Sequence, residues 1–237
     1  SIESYRTLVQ LSPNDFQAWI KILEFEKTEG LYEALEKDAE ETLDLFPNQA
    51  ILYTYYAAAF AGQEDFGEAN SLLKQALRMS FGNESLKSLI FNEQAQVAIL
   101  ENKEGKAIQL FEQAINFSAV QPATILNYAH YMLEKSPQKS IELVEPFLSQ
   151  GSQNTELVRI KTRALFNLSK FKEANSFWDK NFSMKTMHSN GLILELKGDI
   201  LAKLNLIEKA VGFWELAKAS GKASDKIDQK IANKAYQ

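Results

Sequence analysis

The nearest approach to a catalytic or metal-binding arrangement in the sequence is His130, followed one helical turn later by Glu134. A histidine and a carboxylate at this spacing can share a proton or a metal ion. Two ligands without a third rarely hold a metal, and the second histidine, His188, is far away in the sequence and is expected to be solvated. We therefore predict no metal site at this pair.

The chain has none of the short motifs by which common enzymes bind phosphates, dinucleotides, zinc or an acyl group. It has no cysteine, which removes thiol catalysis, disulfides and cysteine-based zinc sites. An enzyme requires several titratable groups that converge on one point, and no such set can be found. The sequence predicts a protein that is not an enzyme, with no catalytic residue and no cofactor.

The composition indicates which elements must position any binding residues. The 237 residues are 45% hydrophobic and 24% charged, which is enough apolar material for a folded core. Only 10 Gly and 5 Pro are present, too few turn residues for a protein with many strands, so an all-α fold is expected. No apolar run approaches the roughly 18 to 20 residues of a membrane span, so no transmembrane segment is predicted.

The charge is unevenly distributed along the chain. Residues 1–150 carry 22 acidic and 11 basic side chains, whereas residues 151–237 carry 9 acidic and 15 basic ones. An acidic front and a basic back can orient a charged partner. The net charge of −5 gives no strongly basic surface, so we predict no nucleic-acid partner.

A small residue followed four positions later by a large one recurs along the chain. A bulky residue lies 16 positions before each of these alanines, a spacing that fits two helices joined by a short turn. The small and large residues are Ala69 with Leu73, Ala107 with Phe111, Ala174 with Trp178, and Ala210 with Trp214.

This pattern resembles the tetratricopeptide repeat (TPR), a helix pair with a period of 34 residues. Trp19 and Tyr53 are separated by one such period. The resemblance implies a right-handed TPR solenoid of about six helix-turn-helix repeats with a C-terminal solvating helix. The predicted parts are a half repeat at 1–13, repeats at 14–47, 48–81, 86–121, 122–152, 153–186 and 189–222, and a capping helix at 224–237.

Both ends of the chain carry further expectations. Tyr5, Leu8 and Pro13 precede equivalent residues by one period, so residues 2–11 are predicted to be the second helix of a repeat whose first helix is missing. We expect a fragment of a longer protein. At the other end, Ser224 is predicted to cap a helix that turns Lys226, Lys230 and Lys234 towards solvent.

Several residues depart from the usual TPR pattern or require a choice. Lys161 and Lys197 occupy positions that are usually apolar. The large residues Phe111, Trp178 and Trp214 are predicted to be core. Tyr53 and Tyr56 are expected to pack inside while Tyr55 points into the concave groove, where it is either a peptide contact or an ordinary surface residue.

In TPR proteins the first helix of each repeat lines the concave surface. Transferring those positions to this sequence predicts a partner-binding set. Arg159 and Arg163, one turn apart, either grip a carboxylate of an acidic segment or form a solvated basic face. The chaperone-tail carboxylate clamp is not reproduced. The predicted contacts are Tyr55, Asn92, Gln96, Asn127, His130, Arg159, Arg163, Glu195 and Asp199.

The run from Gly198 through Trp214 to Gly221 is similar to the C-terminal ends of TPR proteins from Bacteroidetes, often envelope lipoproteins. That resemblance implies a periplasmic or envelope location, and without it a cytoplasmic one is expected. The predicted function is a non-catalytic scaffold that binds a peptide segment or protein surface, with a role in envelope assembly. The alternative is an accessory repeat domain of a larger enzyme whose catalytic part lies outside this sequence.

Overall fold

The computed structural model describes residues 2–152, 154–182 and 190–236, and in these ranges the chain forms fourteen α-helices and no strand. The all-α prediction is confirmed. His188 and the boundary between the fifth and sixth predicted repeats lie outside the described residues. The helices are α1 Ile2–Leu11, α2 Phe16–Glu29, α3 Tyr32–Leu45, α4 Ala50–Gly62, α5 Phe66–Met79, α6 Glu84–Leu100, α7 Glu104–Ile115, α8 Pro122–Met132, α9 Pro137–Ser149, α10 Thr155–Asn167, α11 Phe171–Asn181, α12 Gly191–Lys203, α13 Ile207–Ala219 and α14 Ile227–Asn233.

The chain divides into two compact units, Ser1–Thr124 and Ile125–Gln237. In unit 1, consecutive helices pack in pairs: α2 with α3, α4 with α5, and α6 with α7. In unit 2, α10 pairs with α11 and α12 with α13, while the Ser140 hydroxyl of α9 donates to the Ala129 carbonyl of α8 at 2.7 Å. None of the helices in the described ranges has both the length and the apolar content needed to cross a bilayer.

Five of the first helices end in the same turn, built on a residue in the left-handed backbone region. The amide of the residue after the left-handed one then donates to a carbonyl in the last turn of the helix, as from Asp65 to Phe60 at 2.9 Å and from Lys103 to Ala98 at 2.8 Å. This closure satisfies a backbone group that the helix end would leave unpaired. The left-handed residues are Gly30, Glu64, Asn102, Ser169 and Asn205, with φ of 69°, 66°, 58°, 59° and 61°.

The small-large pairs on the second helices form the core between helix pairs. Ala69, Ala107, Ala174 and Ala210 are fully buried, and so is every large residue that follows them. The prediction that Phe111, Trp178 and Trp214 are core residues is confirmed, with exposed fractions of 0%, 2% and 0%. On α12, Gly198 lies so close to the Trp214 indole that a Cβ there would come within 2.4 Å of it.

The C-terminal helix differs from the prediction in two respects. It begins at Ile227, and Ser224 does not cap it, because the Ser224 hydroxyl and amide bind the carboxylate of Glu195 instead. Lys230 does not face solvent: it is 4% exposed and lies against α12. The helical spacing of Lys226, Lys230 and Lys234 suggested one solvent-facing side, but the buried carboxylates of α12 attract the Lys230 ammonium group inwards.

Candidate functional site

The first helices of successive pairs lie side by side in each unit. In unit 1, α4 contacts both α2 and α6, and we call this surface the first-helix face of unit 1. In unit 2, α10 contacts α12, and Asn167 of α10 donates to the Leu133 carbonyl beyond α8 at 2.9 Å. We call the surface of α8, α10 and α12 the first-helix face of unit 2. The predicted binding residues are distributed over these two faces.

On the face of unit 1, an ion pair that sequence spacing did not predict joins the outer two helices. The Lys27 ammonium of α2 lies 2.6 Å from Glu93 Oε2 of α6, and Asn92 Nδ2 donates to Glu93 Oε1 at 3.2 Å. Asn92 is 1% exposed, so its predicted role as an open contact is wrong, because it helps to fix a buried carboxylate. Gln96, one turn later, is half-buried.

Tyr55 also departs from the prediction. It is 9% exposed and packs with Leu23, Leu52 and Ala59 in a core cluster between α2, α3 and α4. Burial raises the pKa of its hydroxyl above the ordinary value. Tyr53 and Tyr56, which were expected inside, are half-buried. Because α4 is apolar on nearly every side, its sequence pattern does not distinguish the face that points inwards.

On the face of unit 2, α8 contributes Asn127, which is half-buried, and His130, which is exposed. Glu134, the potential partner of His130, accepts a hydrogen bond from Asn167 Nδ2 at 3.0 Å. Glu156 of α10 accepts a hydrogen bond from Arg159. This bond, with a smaller contribution from His130, holds the pKa of Glu156 below its ordinary value even though burial opposes the shift.

The predicted arginine pair lies on α10, and both side chains are half-buried. Arg159 binds Glu156 of its own helix through Nε at 2.8 Å and a terminal nitrogen at 2.5 Å. Arg163 lies over the ring of Phe166, with 5.5 Å between the guanidinium carbon and the ring centroid. Its terminal nitrogen is 3.8 Å from Asp199, beyond hydrogen-bond distance.

Glu195 and Asp199 are buried on α12, at 3% and 0% exposed. The Lys230 ammonium lies 2.7 Å from Glu195 Oε1 and 2.7 Å and 2.9 Å from the two oxygens of Asp199. Trp214 Nε1 donates to Asp199 Oδ1 at 3.0 Å. The prediction that the two carboxylates are open to a partner is therefore wrong, because the C-terminal helix already occupies them.

The two carboxylates respond differently to this environment. Burial raises the pKa of Glu195, but the hydrogen bonds from Lys230 and Ser224 outweigh it, so the pKa lies below the ordinary value. Burial also raises the pKa of Asp199, and here Lys230, Arg163 and Trp214 do not fully compensate, so the pKa stays above the ordinary value. A cation closer to Asp199 would therefore further stabilise its charged form.

Lys197, which departs from the TPR pattern, is 4% exposed on α12. Its ammonium donates to Asp179 and lies 4.5 Å from the ring centroid of Trp178. Burial lowers its pKa, and Asp179 opposes that shift only in part. Lys161 similarly reaches Glu145 at 2.6 Å. In both cases an ion pair between helices accounts for a lysine at a position that is usually apolar.

A second buried carboxylate pair lies at the start of unit 1. Glu26 of α2 and Asp38 of α3 are 1% and 5% exposed, and the guanidinium of Arg6 from α1 binds both. Glu26 Oε2 is buried without a hydrogen-bond partner. Burial and the neighbouring Asp38 raise the pKa of Glu26 to about 7, although Arg6 opposes the shift.

Across the part of the chain that the structure describes, no three histidine, cysteine, aspartate or glutamate side chains come together in a way that could hold a metal ion. The charged groups instead form pairs that tie one helix to another. Arg159 and Arg163 of α10 are half-buried on the first-helix face of unit 2.

Antiparallel helix pairs, stacked so that their first helices share a face, define the TPR fold. The APC/C hetero-tetramer Cut9-Hcn1 has a TM-score of 0.67 to this chain, with 13% identity over 97% of this chain and 45% of that chain. This chain therefore spans less than half of the Cut9-Hcn1 chain that it matches.

Two bacterial structures are also similar. A TPR protein from Parabacteroides merdae has a TM-score of 0.61 and 12% identity, covering 98% of this chain and 90% of its own. The pilF protein of Pseudomonas aeruginosa has a TM-score of 0.62 and 16% identity, covering 92% and 96%. No protein-family model and no curated protein matches the sequence. These similarities show that the chain has the TPR fold.

Proposed function

We propose that this protein is a non-catalytic scaffold that binds an acidic segment of a partner protein on the first-helix face of unit 2. The observation that carries the proposal is the state of Arg163. Its side chain is 26% exposed, and the carboxylate nearest to it, Asp199, is already hydrogen-bonded to Lys230 and Trp214. The Arg163 guanidinium has five N–H donors, and Asp199 is too distant to accept from them, so these donors can bind a carboxylate of a ligand.

The surroundings favour an anionic ligand at this point. The guanidinium of Arg163 packs on the ring of Phe166, which restricts the conformations of the Arg163 side chain before a ligand binds. Arg159 lies one turn away and is paired with Glu156, whose side chain is 42% exposed. If a ligand carboxylate displaces Glu156 from Arg159, water can solvate the released Glu156 carboxylate, so the exchange costs little. The two arginines are therefore suited to bind two carboxylates one turn apart.

The chemistry of the partner follows from these charges. The net charge of −5 supports a protein or peptide ligand in preference to a nucleic acid. The resemblance of the last repeat to Bacteroidetes envelope proteins supports a role in assembly at the cell envelope. Catalysis is not part of the proposal.

The test uses fluorescence anisotropy with labelled helical peptides that carry Glu at two positions one turn apart, and matched peptides with Gln there. We expect the Glu peptides to bind and the Gln peptides to bind at least about tenfold more weakly, since hydrogen bonds to charged groups stabilise by roughly 1.5 to 3 kcal/mol. Replacing both Arg159 and Arg163 with Ala should weaken binding to a similar extent, and added salt should weaken it further.

Arg78→Ala is the matched control, because it removes an exposed positive charge at the end of α5 in unit 1. It should leave the affinity of the Glu peptides unchanged. Equal binding of the Glu and Gln peptides, or equal binding by the double variant and the unmodified protein, would refute the proposed function.

A further inference from the structure

The C-terminal segment, residues 224–236, packs on α13, and some of its side chains also reach two helices of the first-helix face of unit 2. Ser224 and Lys230 contact Glu195 of α12, and the ring of Tyr236 lies 5.1 Å from that of Phe166 on α10. The segment thus contacts the same helices that carry the predicted ligand contacts.

Lys230 is the main polar anchor of this segment. Its side chain is 5% exposed, and the side chains of Glu195 and Asp199 are 4% and 0% exposed. Three contacts of 2.7 to 2.9 Å surround the ammonium with carboxylate oxygens. The two carboxylates together therefore form a site whose shape and charge suit one lysine ammonium.

An aromatic anchor follows six positions later. Tyr236 meets Phe166 edge to face, with an interplanar angle of 69°, and its ring also lies 4.6 Å from the Lys203 ammonium and 5.2 Å from that of Lys230. Such aromatic contacts contribute beyond the burial of area alone. The lysine thus binds the carboxylates of α12, and the aromatic residue six positions later packs on Phe166 of α10.

The segment has little structure of its own to hold it in place. Helix α14 has seven residues, begins without a side-chain cap, and has Ile227 and Lys230 as its buried residues. Helices of this length are unstable in water unless they pack on something else. Gly221, with φ of 71°, precedes the segment as a turn. The segment therefore depends on docking for its structure, as a peptide ligand does, with Ile227 packed in the core cluster that contains Trp214.

We propose that Phe166, Glu195 and Asp199 form a binding site for a lysine-containing helical segment of a partner protein, which residues 224–236 occupy in cis. The preferred ligand has a lysine followed six positions later by an aromatic residue. This inference rests on the proposed function, because it assigns a second ligand chemistry to the same face. Release of the cis segment also removes the Lys230 ammonium from Asp199, the carboxylate nearest to Arg163.

The experiment measures binding of a fluorescein-labelled peptide of residues 222–236 to the full chain. The cis segment competes at an effective concentration in the millimolar range, so the unmodified protein should bind the peptide weakly. Lys230→Gln in the full chain removes the cis anchor and leaves the carboxylates intact, so the peptide should bind this variant at least about tenfold more tightly. The peptide should also raise the melting temperature of this variant.

Matched controls test the role of the lysine itself. Lys226 is exposed on the same segment, so the chain with Lys226→Gln should bind as weakly as the unmodified protein. A peptide with Lys230→Gln should lose its affinity for the Lys230→Gln chain, and a peptide with Lys226→Gln should retain it. Adding Glu195→Gln and Asp199→Asn to the Lys230→Gln chain should abolish binding.

If the Lys230→Gln chain loses its helical circular dichroism, Tyr236→Ala takes its place, since it removes the Phe166 contact and leaves the carboxylates neutralised. It too should bind the peptide more tightly than the unmodified protein does. Equal binding by the variant and the unmodified protein, or binding by neither, would overturn the inference. If acidic peptides still bind through Arg159 and Arg163 in that case, the proposed function stands without this inference. If the lysine peptide binds the Lys230→Gln chain but acidic peptides do not bind, the inference stands and the acidic-ligand proposal is refuted.

Discussion

Glu26→Gln should remove a pH dependence of stability that originates at the start of unit 1. Glu26 is 1% exposed, and burial beside Asp38 raises its pKa from 4.5 to about 7. The folded protein therefore keeps the proton of Glu26 over a range of pH in which the unfolded chain has released it. Stability falls as pH rises through that range, because the unfolded state then binds fewer protons.

The magnitude follows from the size of the pKa difference. Each pH unit between 4.5 and about 7 costs about 1.4 kcal/mol, so the whole interval corresponds to about 3 kcal/mol. A glutamine has the shape of a protonated glutamate and can donate to Asp38 while accepting from Arg6. The variant should thus match the unmodified protein near pH 4.5 and exceed its stability by up to about 3 kcal/mol above pH 7.

The assay is urea unfolding followed by far-ultraviolet circular dichroism, at several pH values between 4.5 and 8. Glu24→Gln is the matched control, because Glu24 lies on the same helix, is 46% exposed and pairs with Lys21 at the surface. It should change stability by less than about 1 kcal/mol at every pH. Parallel pH profiles for the Glu26 variant and the unmodified protein would refute the reasoning, as would a variant that is less stable at pH 8.

The remaining predictions concern the stability of the helix pairs, measured by chemical unfolding. Trp214→Ala should destabilise by about 3 to 5 kcal/mol, because a fully buried indole that donates to Asp199 is lost. Gly198→Ala should also destabilise, by about 1 to 3 kcal/mol, since its Cβ would meet the Trp214 indole, whereas Gly212→Ala, with open space around it, should stabilise by up to about 1 kcal/mol. Glu64→Gly should raise the melting temperature, because it relieves a left-handed residue without removing a buried contact.

The architecture was predictable from sequence because its main signal is local. A small residue and a large one lie on one face of each second helix. Pairs such as Ala174 with Trp178 therefore indicate the buried face from residues within a single turn, and so does Ala210 with Trp214. Tyr55 could not be placed in the same way. Helix α4 packs on several sides at once, so its apolar residues run around the whole helix and no face is marked as the exposed one.

The binding residues were less predictable because their surroundings depend on distant parts of the chain. Lys230 reaches Glu195 and Asp199 across 35 and 31 residues, and Lys27 reaches Glu93 across 66. A repeat pattern assigns these carboxylates to a ligand face and says nothing of a cation from elsewhere in the chain. Lys197 was recognised as a departure from the repeat pattern, but the sequence did not indicate its partner Asp179.

Arg6 and Lys230 lie on the first and last described helices, whereas the carboxylates that they neutralise lie within the repeats. A recombinant version trimmed of either helix would therefore leave two buried carboxylates without a counter-charge, and breaking a buried pair in this way costs about 3 to 5 kcal/mol. Trimming at either end thus calls for replacing those carboxylates in the same step, with Gln at Glu195 and Asn at Asp199 for the C-terminal version. Fusion partners and affinity tags are best attached outside residues 2–236, where both cations stay in place.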